Sequence, residues 1–82
     1  MPDEVDLYIS ERIRSLRMER GMSLTALSRL VGVSVQQLQK YESGRNRVSG
    51  GRLWSIVQAL DTDIETMFPN PPRRGYPDRH KR

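Results

Sequence analysis

The sequence predicts an all-α fold of five short helices with a disordered C-terminal tail. Apolar residues recur at three- and four-residue spacings, glycines close these runs, and serines stand just ahead of them. No stretch alternates apolar and polar residues long enough to form a strand.

Residues 6–20 place Ile9, Ile13 and Leu16 on one helical face. Gly21 then ends the helix, because glycine takes the left-handed conformation at little cost. Ser23 is the expected N-cap of a second helix carrying Leu24, Leu27, Leu30 and Val31, and Gly32 closes it. Val33 plugs the turn, and Ser34 caps a third helix that runs to Ser43 and stops at Gly44. Ser49 caps a fourth helix whose inner face is Leu53, Ile56, Val57 and Leu60. Asp63 is expected to cap a last short helix ending at Phe68, since Pro69 forbids its continuation.

Residues 1–68 are read as the folded domain and residues 69–82 as a flexible basic tail. That tail, PNPPRRGYPDRHKR, holds four prolines and little apolar content, so disorder is expected. The chain has 82 residues, enough for one domain with a small core. Without cysteine it has neither disulfides nor a thiolate zinc site. No apolar run approaches a membrane span, and the acidic start MPDEVD lacks the pattern of a signal peptide. A cytoplasmic protein is expected.

The net charge of +4 is misleading as a total. Residues 1–68 carry nine basic and nine acidic side chains, and the excess lies wholly in the tail. Local asymmetry is more informative. Residues 35–55 hold Lys40, Arg45, Arg47 and Arg52 against Glu42 alone, whereas residues 56–68 hold Asp61, Asp63 and Glu65 with no base. These three acids suit helix capping and dipole complementarity better than a cation site.

Two short helices joined by Gly32-Val33-Ser34 have the form of a helix-turn-helix. At about 100° per residue, Leu38 and Tyr41 point inward. Gln36, Lys40 and Ser43 then point outward, with Gln37 and Gln39 flanking them. A helix entering a major groove needs such a long-armed, carboxylate-free face, because glutamine pairs with adenine and lysine donates to guanine. Arg45-Asn46-Arg47 follows in a loop suited to phosphate contact.

The stretch GMSLTALSRLVGVSVQQLQKYESGRNRVS resembles the phage repressor/Cro-like, or XRE-type, helix-turn-helix family. The likeness extends from ISERIRSLRMERG to ALDTDIETMF, about residues 9–68. It implies a five-helix, repressor-like DNA-binding domain acting as a homodimer on a palindromic operator in double-stranded DNA. By position it implies Gln36 and Lys40 as base readers, Val35 near a thymine methyl, and Gln37 and Gln39 in support. Ser34, Ser43, Arg45, Asn46 and Arg47 fall at phosphate-contact positions, and Ser23 is grouped with them. Arg17 and Glu42 match a pair that ties the first helix to the end of the third. Three positions depart from the pattern. Leu24 stands where glutamine is frequent, removing one phosphate contact. Ser28 replaces a small alanine, and its hydroxyl is expected to bond back to the Leu24 carbonyl if buried. Asp61 replaces a glycine, and aspartate tolerates the left-handed conformation.

The resulting expectation is a transcriptional regulator, a repressor acting as a dimer, with no cofactor, no metal and no catalytic group. The alternative is an antitoxin or interaction module that holds a protein partner through Trp54 or the tail. His80 is a lone histidine in a basic segment and suggests no catalysis.

Overall fold

The computed structural model describes residues 3–70. It contains α1 (Glu4–Glu19), α2 (Leu24–Val31), α3 (Val35–Ser43), α4 (Gly50–Ala59) and a 3-10 turn (Ile64–Met67), with no strand among the described residues. The tail expected to be disordered, including His80, lies outside the described residues apart from Pro69 and Asn70.

Each α-helix begins at a side-chain cap. The Asp6, Ala26, Gln37 and Arg52 N–H groups donate to Asp3, Ser23, Ser34 and Ser49 respectively, at 3.0–3.2 Å. Such caps stabilise by about 1 kcal/mol each, satisfying N–H groups that have no partner inside the helix. The Asp3 cap starts α1 at Glu4, two residues ahead of the start expected from apolar spacing alone.

Ile13, Leu27, Leu38, Ile56, Leu60 and Met67 are fully buried, so all five elements contribute to one core. Helix α1 packs on α3 and on the 3-10 turn, while α2 packs on both α3 and α4. This arrangement holds α3 by its Leu38–Tyr41 face and leaves its opposite face outside. Of Leu24, Leu27, Leu30 and Val31 on α2, Leu30 is 63% exposed. It lies about 100° around the helix from Val31, and Ser28, only about 60° away, takes the inward place. Ser28 is buried, and its hydroxyl donates to the Thr25 carbonyl at 2.9 Å rather than to that of Leu24. Both i−3 and i−4 carbonyls lie within reach of a helical serine.

The expected fifth helix is a single 3-10 turn, so the described residues form four α-helices plus that turn. Asp63 makes no side-chain cap; its carbonyl accepts from the Thr66 N–H at 3.1 Å and from the Thr66 hydroxyl at 2.7 Å. Pro69 follows too soon for i→i+4 bonding to establish itself, and the tighter i→i+3 pattern suits such short pieces. Asp61 has φ +52° and closes α4, with the Thr62 N–H donating to the Val57 carbonyl at 3.1 Å.

Gly44 closes α3 at φ +80°. A Cβ there would stand 2.9 Å from Cδ2 of Leu7. That methyl is the far end of a half-exposed side chain and can turn aside, so backbone strain dominates the effect of substitution. Gly44→Ala is expected to lower stability by about 1–2 kcal/mol. In urea unfolding this reads as a lower midpoint at unchanged slope; an unmoved midpoint would contradict the assigned strain.

Candidate nucleic-acid interface

The turn between α2 and α3 is set by Gly32 at φ +88°, the half-buried Val33 and the Ser34 cap. Helix α3 exposes Gln36, Gln39, Lys40 and Ser43, with Val35 and Gln37 half-buried at its edges. The one carboxylate on α3, Glu42, is turned inward, its side chain only 7% exposed. Arg17 Nε donates to Glu42 Oε2 at 2.7 Å and Nη2 to Oε1 at 3.1 Å, while Nη1 donates to the Met22 carbonyl at 2.8 Å. One guanidinium therefore joins α1, the α1–α2 turn and the end of α3. It also neutralises the only acid on α3, leaving an outer face of amides, hydroxyl and ammonium.

Arg45, Asn46 and Arg47 are exposed immediately after α3. The Arg45 and Asn46 N–H groups both donate to the Lys40 carbonyl, at 3.0 and 3.2 Å, which fixes the start of this loop. Arg47 has an unanticipated partner: its Nε donates to Asp6 Oδ2 at 3.0 Å, across to the first turn of α1. Its terminal nitrogens make no hydrogen bond with the described residues. Ser23 and Ser34 accept cap bonds through their hydroxyl oxygens, so each hydroxyl hydrogen remains available to an outside acceptor. The Ser43 hydroxyl donates within the helix, to the Lys40 carbonyl at 3.3 Å.

A concavity of about 900 Å³ lies between α1 and α3, lined by Arg14, Leu24, Gln36, Gln39, Lys40 and Arg45 among others. Sequence reasoning did not single out Arg14. Its signal was available, for it stands three residues before Arg17 and so one turn earlier on the same side of α1. Trp54, a candidate contact residue, is 56% exposed on α4 and contributes nothing to this concavity.

Four helices with a glycine turn between the second and third, and a polar outer face on the third, define a helix-turn-helix domain. Residues 13–67 match the family described as Helix-turn-helix, and the chain belongs to that family. Among similar proteins is the uncharacterized HTH-type transcriptional regulator y4aM of Sinorhizobium fredii, 46% identical over 68 residues, which cover 83% of this chain and 48% of that protein. The crystal structure of the clp gene regulator ClgR from C. glutamicum matches with a TM-score of 0.75 and 28% identity, covering 79% of this chain and 84% of that one. SinR, a master regulator for biofilm formation solved in complex with DNA, matches with a TM-score of 0.67 and 30% identity, covering 72% and 95%. The chain spans about half the length of the curated relatives it matches. No helix of the described residues is long and apolar enough to cross a membrane.

Proposed function

We propose that this chain is a sequence-specific double-stranded DNA-binding transcriptional regulator of the bacterial cytoplasm, a repressor acting as a homodimer on a palindromic operator. The carboxylate-free outer face of α3 carries the reading. Glu42 is withdrawn from that face by Arg17, so nothing on it repels phosphate. Gln36 and Lys40, one turn apart, read base edges, with Val35 against a thymine methyl and Gln37 and Gln39 in support. Ser23, Ser34, Ser43, Arg45, Asn46 and Arg47 hold the flanking phosphates, Arg47 through the terminal nitrogens that Asp6 leaves open. The names of relatives as transcriptional regulators, and the DNA complex of SinR, support the same function.

Selection of bound duplexes from a random pool tests this reading. Enrichment of one sequence as two inverted half-sites, about one helical turn apart and bound by two chains, is the expected result. A pool that stays random while the protein binds it, or one that is never retained, would contradict it. Retention of single half-sites by one chain would remove the dimer and keep the rest.

A further inference from the structure

The four arginines of α1 and its C-cap divide three to one. Arg12 Nε donates to the Thr66 carbonyl at 2.9 Å, and Arg17 is fixed on Glu42 and Met22. Arg20 donates to the carbonyls of Leu60 and Asp61. All three fasten α1 to other parts of the fold. Arg14 makes no hydrogen bond or ion pair with any described residue, and it is exposed. Glu11, one turn back, lines the adjoining hollow with Arg14 and still forms no ion pair with it.

Arg14 forms the α1 wall of the concavity beside α3. Lys40 and Arg45 on the other wall likewise have no acidic partner among the described residues. Leu24, between the walls, offers no donor, and Glu42 beneath is already neutralised. Three free cations thus surround one hollow with no free carboxylate on its lining, which is an arrangement completed by an anion from outside.

We infer that Arg14 binds a DNA backbone phosphate in this concavity, on the strand bordering the groove that α3 enters. The inference rests on the DNA-binding reading above and extends the interface from α3 and its loop onto α1. An arginine contacting phosphate contributes affinity and fixes the register of the protein on the duplex, without reading sequence.

The test uses the full chain as wild type, Arg14→Ala, Arg14→Lys and Arg45→Ala. Each is titrated with a duplex selected from a random pool and with an unrelated duplex of equal length. Neutralising one phosphate contributes about 0.9 to the slope of log affinity against log salt. Arg14→Ala should lose that increment on both duplexes, so its deficit against wild type narrows about 3.5-fold between about 50 and 200 mM salt. Its preferred sequence and melting temperature should not change, and Arg14→Lys should restore the slope. A wild-type slope in Arg14→Ala, alongside a reduced one in Arg45→Ala, would overturn the inference and leave the DNA-binding reading intact. Failure of Arg14→Lys to restore the slope, or a lower melting temperature in Arg14→Ala, would assign Arg14 to the fold and also overturn it. A wild type that binds neither duplex would overturn both readings.

Discussion

Glu42→Ala is expected to destabilise the domain by about 3–5 kcal/mol, the loss that follows when one partner of a buried ion pair is removed. The side chains of Arg17 and Glu42 are only 12% and 7% exposed, so solvent does not stand in for the missing carboxylate. In the variant, Nε and Nη2 of Arg17 lose both their acceptors, and only the bond from Nη1 to the Met22 carbonyl remains. Domains of this size lose about 4–8 °C of melting temperature per kcal/mol, so the midpoint should fall by at least about 12 °C. Most of the penalty comes from the orphaned guanidinium rather than from the attraction itself. The double variant Arg17→Met, Glu42→Leu should accordingly recover much of the loss. An unchanged melting temperature in Glu42→Ala, or a double variant as unstable as the single one, would contradict this role.

The second large effect concerns base preference. Gln36 lies in the first turn of α3, whose N-terminal residues enter the groove most deeply in helix-turn-helix docking. Its carboxamide matches adenine N6 and N7, and a good bidentate pair discriminates by about 1–3 kcal/mol. Gln36→Ala should relax the preference at one base pair of each half-site, while affinity for unrelated DNA stays nearly constant. Competition of the variant against a panel of single-base substitutions at matched salt checks this. Equal weakening on every duplex would move base reading away from Gln36.

The backbone plan was legible because caps and stops are local. Ser23, Ser34 and Ser49 bond within their own first turns, and Gly21, Gly32 and Gly44 adopt positive φ at the helix ends. Leu30 shows that apolar character alone does not set orientation, since its wheel position stands apart from that of Val31. The 3-10 turn resembles a helix in sequence because Asp63 is a capping residue type, yet it makes no side-chain cap, and Pro69 soon ends the turn. Of the long-range polar ties, the Arg17–Glu42 pair was legible through the family resemblance, and the others were not. Arg12 and Arg20 reach backbone carbonyls of Thr66 and of Leu60 and Asp61, and any residue supplies a carbonyl, so no side-chain pattern announces these bonds. The Arg47–Asp6 pair joins positions 41 residues apart through two ordinary charges. At the interface, spacing within α3 sufficed to find its outer face, whereas Arg14, signalled only by its place one turn before Arg17, gained a role once α1 and α3 stood side by side.

The central claim is that the outer face of α3 reads base edges from the major groove. Its most direct measurement is an affinity cycle combining Gln36→Ala with replacement, in the selected duplex, of the adenine whose preference that variant loses by 7-deazaadenine. That analogue removes the N7 acceptor, which is displayed only in the major groove, and leaves the minor groove unaltered. The account predicts that wild type loses affinity on the modified duplex and that Gln36→Ala is indifferent to the change. Equal losses for the two proteins, or none for wild type, would contradict it.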